Sequence, residues 1–362
     1  MAEIISIATA EPAYQHLQAD ICKFMQASYQ LDASESRKLK FLYDHSGINT
    51  RYSIIADYNA ALAVHDFIPL QKDHPFPDLE QRMEIFEREA LSLSIESINK
   101  CINGVINAKA ITHLITVSCT GMSAPGLDLQ IMQSLELPST IFRTSINFMG
   151  CYAAIHGLKL AKMICDSTPN SNVIVVATEL CTLHFQQAFS EDNAASSLLF
   201  ADGSAAVLIS NCISSKKAIT LKDFYAQVED KGQNDMAWKL SSKGFLMTLS
   251  SYIPQLIESD VEQLIVNALA KNNLQFSDIT HWCIHPGGKR ILDLVQRKMK
   301  LSDDHLKHSR KVLFNHGNMS SPTVLYVLKE IMEATSQDNA TILGMAFGPG
   351  LTMETFTAVK RS

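Results

Sequence analysis

Two stretches of this chain follow one plan 167 residues apart, and that repeat restricts the fold more than any other feature. The first stretch runs as an apolar strand (residues 112–118), a turn (Ala124-Pro125-Gly126), a helix, a glycine (Gly150) and a second helix opening at Cys151. The second runs as a strand (residues 281–284), a turn (Pro286-Gly287-Gly288), a helix, a glycine (Gly317) and a second helix opening at Asn318. Cys151 and Asn318 are 167 residues apart, as are Ser118 and His285. Such a duplication predicts two similar halves, residues 1–213 and 214–362, facing one shared site. The halves would present Cys151 and Asn318 at matching helix starts and His285 at a strand end.

The segments between these landmarks agree with a layered α/β body. Residues 14–110 read as mostly helical, with a charged amphipathic stretch over 78–99. Beyond them, apolar β-branched runs at 114–117, 173–177, 205–210, 281–285 and 341–347 read as buried strands. Residues 151–165 and 322–332 read as helices. Strands that alternate with helices and carry no polar face are covered on both sides. The chain's 362 residues, 46% hydrophobic and 19% charged, are ample for such a core.

Composition also excludes several functions. The net charge of −6, with no Lys/Arg block, gives no nucleic-acid footprint. No apolar run reaches the roughly 18 residues of a membrane span. The N-terminal Met-Ala-Glu-Ile-Ile-Ser reads as a first strand rather than a signal peptide. The eight cysteines are dispersed, without CxxC pairs or Cys/His clusters at zinc spacing, which fits a cytoplasmic protein without disulfides or a structural metal.

Three local contexts carry chemistry. In Asn147-Phe148-Met149-Gly150-Cys151, a glycine turns the backbone sharply before a cysteine that opens an apolar helix. A helix N-terminus favours thiolate over thiol, and its free N–H groups can hold an oxyanion. In Cys283-Ile284-His285-Pro286-Gly287-Gly288, a histidine ends a buried strand, where reactive groups of α/β folds reach a cleft. In Gly317-Asn318-Met319-Ser320-Ser321, an asparagine follows a glycine. Helix capping explains it by itself, but its amide can also donate to a developing oxyanion.

Together and in this order, these motifs resemble the thiolase superfamily, and within it type III polyketide synthases of the chalcone-synthase kind. The terminal Phe347-Gly348-Pro349-Gly350-Leu351-Thr352-Met353-Glu354-Thr355 strengthens the resemblance, which spans essentially the whole chain. It implies a thiolase-like αβαβα five-layered fold with internal duplication, and a homodimer. It also implies the chemistry. Cys151, in a thiolate–imidazolium couple with His285, would take an acyl group from an acyl-CoA starter. His285 and Asn318 would bind the thioester carbonyl of malonyl-CoA and stabilise the enolate left by loss of CO₂. The enolate would attack the Cys151 thioester, and repeated extension would end in cyclisation. CoA is the activating group, so no cofactor or metal is implied.

The same resemblance assigns further residues. Phe200 would stand between the CoA tunnel and the cavity, and Gly348-Pro349-Gly350 would line the site beside the pantetheine. Ser320 belongs to the Asn318 motif, and Glu179 would organise polar groups near the nucleophile. Cys119, Ala124, Cys181, His184, Trp238 and Met247 occupy positions that shape the cavity. Lys38 matches one CoA-binding lysine. Its neighbours are Phe41 and His45 where bases are expected, and Lys289 and Arg290 are the substitutes. Cys119 and Trp238 look more like members that take fatty acyl starters and make alkylpyrones or alkylresorcinols. A small aromatic product of the phloroglucinol or tetrahydroxynaphthalene type is an alternative, as is a single-condensation β-ketoacyl-carrier-protein synthase III. A cysteine hydrolase and a non-catalytic acyl-binding subunit fit less well, because Cys151, His285 and Asn318 are all present.

Overall fold

The computed structural model describes residues 1–58, 65, 67–70, 74–229, 235–250, 253–334 and 339–360. The N-terminal region holds β1 (Glu3–Ala10), β2 (Tyr14–Leu17), α1 (Gln18–Ser28), α2 (Ala33–Asp44), β3 (Thr50–Ser53) and α3 (Leu79–Ile102). Next come β4 (His113–Ser118), α4 (Leu127–Ser134), β5 (Phe142–Asn147), α5 (Ala153–Ser167), β6 (Asn172–Leu180), α6 (Glu191–Leu199) and β7 (Asp202–Ser210). The second half begins with β8 (Ile219–Val228) and the hairpin β9 (Met236–Ser241) and β10 (Gly244–Leu249). It continues through α7 (Ile253–Ala270), β11 (His281–Ile284), α8 (Lys289–Lys298), α9 (Lys307–His316), α10 (Thr323–Ala334), β12 (Ala340–Gly348) and β13 (Thr352–Lys360).

Nine strands align in the order β11-β12-β13-β8-β1-β7-β6-β4-β5. The repeat is visible in this order. From the junction outward, β1, β7, β6 and β4 answer β8, β13, β12 and β11. The innermost parallel pairs, β4 with β6 and β11 with β12, correspond. The halves meet where β1 and β8 share only the pairings Glu3 with Thr220 and Ile4 with Ile219. β5 has no strand counterpart, because the equivalent stretch before Gly317 is helix α9.

Side-chain alternation along the strands builds five layers. Ile115 and Val117 of β4 and Val173 and Val175 of β6 pack on α5. Leu114, Ile174 and Val176 point the other way and pack with Ile98 of α3 and Ile131 of α4. In the second half, Cys283 and Ile342 face α10, while Trp282, Ile284 and Leu343 face α7 and α8. Helices α5 and α10 therefore form a central layer between two sheet faces, with α3 and α4 outside one and α7 and α8 outside the other. Both strand faces are apolar because both are covered, so these strands lack the alternation of half-exposed ones.

Two expectations need correction. Helix α5 begins at Ala153, not at Cys151, and α10 begins at Thr323, not at Asn318. In the first case Phe148 (φ 59°) and Gly150 (φ 81°) are left-handed, so the chain is still turning when it reaches Cys151. In the second, Asn318 is drawn into a parallel bridge with Phe200. The region 14–110 is less helical than its composition implies, because β2 and β3, on either side of α1 and α2, pair antiparallel. No described helix is long and apolar enough to cross a membrane.

Candidate active site

The two halves bring three loops to one place. The first is the turn that carries Cys151. Its glycine is required twice over. Gly150 is left-handed, and a Cβ there would stand 2.1 Å from Cδ of Pro349. Gly317, 167 residues on, is also left-handed, and a Cβ there would lie 2.8 Å from the Arg51 side chain. The duplicated glycines thus conserve one backbone turn in both halves, although the residues after them diverge.

The second loop follows β11. His285 donates its backbone N–H to Met345 O at 2.8 Å, which continues the pairing with β12 and fixes the ring at the strand end. The imidazole is 1% exposed, and neither ring nitrogen has a protein partner. The third loop carries Asn318. Its Oδ1 accepts from the Ser320 N–H at 2.8 Å, which orients the amide so that Nδ2 faces the Gly287 carbonyl at 3.3 Å. Asn318 therefore does cap backbone, but within its own loop rather than at a helix start.

Cys151 lies between these loops. Its Sγ donates to Ser320 Oγ at 3.7 Å, and the Asn318 amide is also within its reach. Burial pushes the thiol up to about 12, against the opposing pull of the Ser320 hydrogen bond. Burial lowers His285 to about 3. Each shift favours the neutral form, because charge is costly in a dry site. The thiol bonds Ser320, and the imidazole, unpaired, borders the same cavity.

Glu179 ties the loop after β4 to the third loop. Its Oε2 accepts from the Cys119 N–H (2.8 Å), Thr120 Oγ1 (2.9 Å) and Ser118 Oγ (3.4 Å), and its Oε1 from Ser321 Oγ (2.6 Å). Burial raises it to about 7, opposed by these donors. Cys119 then accepts from the Gly150 N–H at 3.0 Å, so the network reaches the residue before Cys151.

These groups open into a cavity of about 850 Å³. Cys119, Cys151, Cys181, Phe200, Trp238, Met247, His285, Asn318, Ser320 and Pro349 line it. Trp238 and Met247 are cross-strand partners in the β9–β10 hairpin, and Trp238 Nε1 donates to Cys119 O at 2.7 Å, which locks the indole. Lys38, Lys289 and Arg290 also border the cavity, with the Phe41 and His45 rings in tilted contact at 4.1 Å between centroids. Lys289 pairs with Asp293.

Glu179 is buried in the polar network behind the wall. Four expected cavity residues sit elsewhere. Ala124 is exposed, on the turn that leads to α4. His184 is buried behind Trp238, with Nε2 on Thr120 O at 2.7 Å and Nδ1 accepting from the Phe245 N–H at 3.1 Å. Gly348 is packed under Tyr152, where a Cβ would meet the ring at 2.6 Å, and Gly350 belongs to the turn beyond Pro349. Sequence reasoning missed the far wall, formed by Leu39, Met236, Leu249, Ile253 and Ile257. Ile253 and Ile257 share one face of α7 with Val261 and Leu264, a spacing that reads as ordinary core.

The whole chain is similar to known proteins. Residues 1–212 match the family profile described as chalcone and stilbene synthases, N-terminal domain, and residues 222–361 match the C-terminal domain of the same family. The "Type III polyketide synthase A" of Arabidopsis thaliana is 30% identical over 335 residues, which are 89% of this chain and 83% of that protein. The "Alpha-pyrone synthesis polyketide synthase-like Pks18" of Mycobacterium tuberculosis is 29% identical over 361 residues, 98% of this chain and 90% of that one. The crystal structure of PKS-I from the brown alga Ectocarpus siliculosus superposes with a TM-score of 0.90 at 26% identity, covering 99% and 98% of the two chains.

The raised thiol has a measurable consequence. A raised value means that the thiolate fraction of Cys151 at neutral pH falls below that of a free cysteine, near 8.5. Iodoacetamide alkylation of Cys151 in the free protein, read by peptide mass, should therefore keep rising with pH through about 9. A plateau already reached near neutral pH would mean that a preformed thiolate exists.

Proposed function

We propose that this chain, which belongs to the chalcone and stilbene synthase family and is a malonyl-CoA-dependent type III polyketide synthase, extends fatty acyl starters on Cys151 to alkylpyrone or alkylresorcinol products. The observation that carries the reading is the convergence of one thiol, one unpaired imidazole and one oriented amide on a large apolar cavity. In this reading the imidazole takes the Cys151 proton as the thiol attacks an acyl-CoA. The acyl thioester forms and CoA leaves as its thiol. His285 and Asn318 then donate to the thioester oxygen of malonyl-CoA. Loss of CO₂ leaves an enolate at that oxygen, and two donors held in place stabilise it without reorganisation. The enolate carbon attacks the Cys151 thioester, the Sγ leaves, and the chain is two carbons longer. The reaction needs no resident cofactor, because the CoA thioesters supply the activation.

The fatty acyl starter is supported by the cavity's size and lining. Its volume of about 850 Å³ lies toward the upper end of ligand pockets, and Leu39, Leu249, Ile253 and Ile257 give it an aliphatic far wall. The α-pyrone relative points the same way. Trp238, locked by its bond to Cys119 O, narrows the region where a planar aromatic starter would sit. Lys38, Lys289 and Arg290 at the mouth, with the N-terminus of α8 beside them, are the groups to hold CoA phosphates. Localisation in the cytoplasm accords with this use of CoA thioesters.

The test is incubation of the pure protein with malonyl-CoA and a panel of acyl-CoA starters, with products identified by mass. Long-chain starters should give alkylated pyrones or resorcinols, and a Cys151→Ala variant should give none. Preference for acetyl or malonyl priming would favour a small aromatic product. A single condensation that needs carrier-protein-bound malonyl would overturn the assignment.

A homodimer is part of the same reading. β5 is the outer strand of the sheet and is mostly exposed, with Phe142 70% exposed. An unpaired edge of this kind is a template for a second copy. Sedimentation should give twice the 40.1 kDa chain mass, and Phe142→Asp should shift it toward one chain. A wild-type mass of one chain would contradict the dimer.

A further inference from the structure

Arg51 is 4% exposed and touches neither Cys151 nor His285. It sits on β3, in the N-terminal region, yet its guanidinium reaches the strand-like stretch that bridges to Asn318. Nη1 donates to the Phe200 carbonyl at 2.5 Å and Nε to Gln18 Oε1 at 2.9 Å. Gln18 in turn donates Nε2 to Leu198 O at 2.9 Å. Between these two held carbonyls, Leu199 O accepts from the Asn318 N–H at 2.9 Å, and Asn318 O accepts from the Ala201 N–H at 2.9 Å. The stem of Arg51 fills the space left by Gly317, where a Cβ would lie 2.8 Å from it. Three consecutive carbonyls, 198 to 200, are thus each held, and the bridge from Phe200 to Asn318 is clamped from behind.

We infer that Arg51 is a positioning residue for enolate formation: it sets the Phe200–Asn318 bridge so that the Asn318 amide meets the substrate oxygen. This rests on the role proposed above for Asn318. The planar guanidinium matters because two donors must point at once toward Gln18 and toward Phe200 O. A lysine carries its donors on one nitrogen at the end of a flexible stem and does not reproduce the fixed fork of Nε and Nη1. The remaining nitrogen, Nη2, is buried without a protein partner. It borders a chamber of about 30 Å³ behind Phe200, with room for one water molecule. That space also admits a free guanidinium ion once the arginine is removed.

The role predicts a split between partial reactions. In the reading above, starter loading relies on the His285 imidazole as the base for Cys151, whereas loss of CO₂ from malonyl-CoA relies on the Asn318 amide. Arg51→Lys should cut the kcat of malonyl-CoA decarboxylation by about 10- to 100-fold, at or below the loss from removing an oxyanion donor outright. The KM for malonyl-CoA and the rate of starter loading, read by intact mass, should stay within about 3-fold of wild type. Millimolar guanidinium should restore part of the decarboxylation in Arg51→Ala, and ammonium should not. Should the arginine variants fail to fold, Gln18→Met, which removes the Nε acceptor, the Leu198 bond and a long bond to Ser46 Oγ, should show a smaller loss in the same direction. Equal losses in loading and decarboxylation, or wild-type decarboxylation in Arg51→Lys, would overturn the inference alone. A wild-type protein that loads starter but releases no CO₂ would overturn the proposed function together with it.

Discussion

The buried carboxylate of Glu179 is the contact on which the site's geometry depends. It stands at the end of β6 in the first half, and both of its oxygens are used. Ser118, Cys119 and Thr120 come to it from the loop after β4, and Ser321 comes from the Asn318 loop of the second half. A carboxylate removed from water is costly unless its acceptor positions are filled, and here every donor comes from a segment that frames the catalytic groups. Satisfying Glu179 therefore requires the two halves to sit in one relative position. Losing a donor would both loosen that position and leave a buried acceptor unpaired.

Around that anchor the backbone is shaped by close approach. Pro349 lies against Gly150, and Tyr152 lies over Gly348, so the loop after β12 and the Cys151 turn interlock. On the other side, the Phe200–Asn318 bridge and Arg51 fix the amide. The reacting groups thus rest on two rigid supports that meet across the cavity, while His285 stands alone at a strand end with both nitrogens available. Burial of the Cys151 thiol and the His285 imidazole favours the neutral form of each.

Much of this was legible in the sequence. The 167-residue offset located the matching left-handed glycines, Gly150 and Gly317, and the strand end that carries His285. The apolar runs located the buried strands. Helix starts were misread because Phe148 and Asn318 are governed by tertiary contacts, a left-handed turn in one case and a bridge to Phe200 in the other. Strand β5 was missed because its sequence, Phe-Arg-Thr-Ser-Ile-Asn, has no buried face in the single chain to impose an apolar pattern. Ala124, His184, Gly348 and Gly350 were placed on the cavity by resemblance, and the backbone carries them onto the surface or behind the wall. The far wall of the cavity and the reach of Arg51 were illegible for a common reason. Apolar helix spacing and a lone arginine look the same whether they serve a core or a site.

The account turns on Cys151 as the residue that carries the growing chain. The direct measurement is the intact mass of the protein after brief exposure to a long-chain acyl-CoA without malonyl-CoA, followed by peptide mapping. The expected result is one added acyl group, placed on the peptide that contains Cys151 and absent from Cys151→Ala. Acylation at Cys119 or Cys181 instead, or no acylation at all with free fatty acid released, would contradict it.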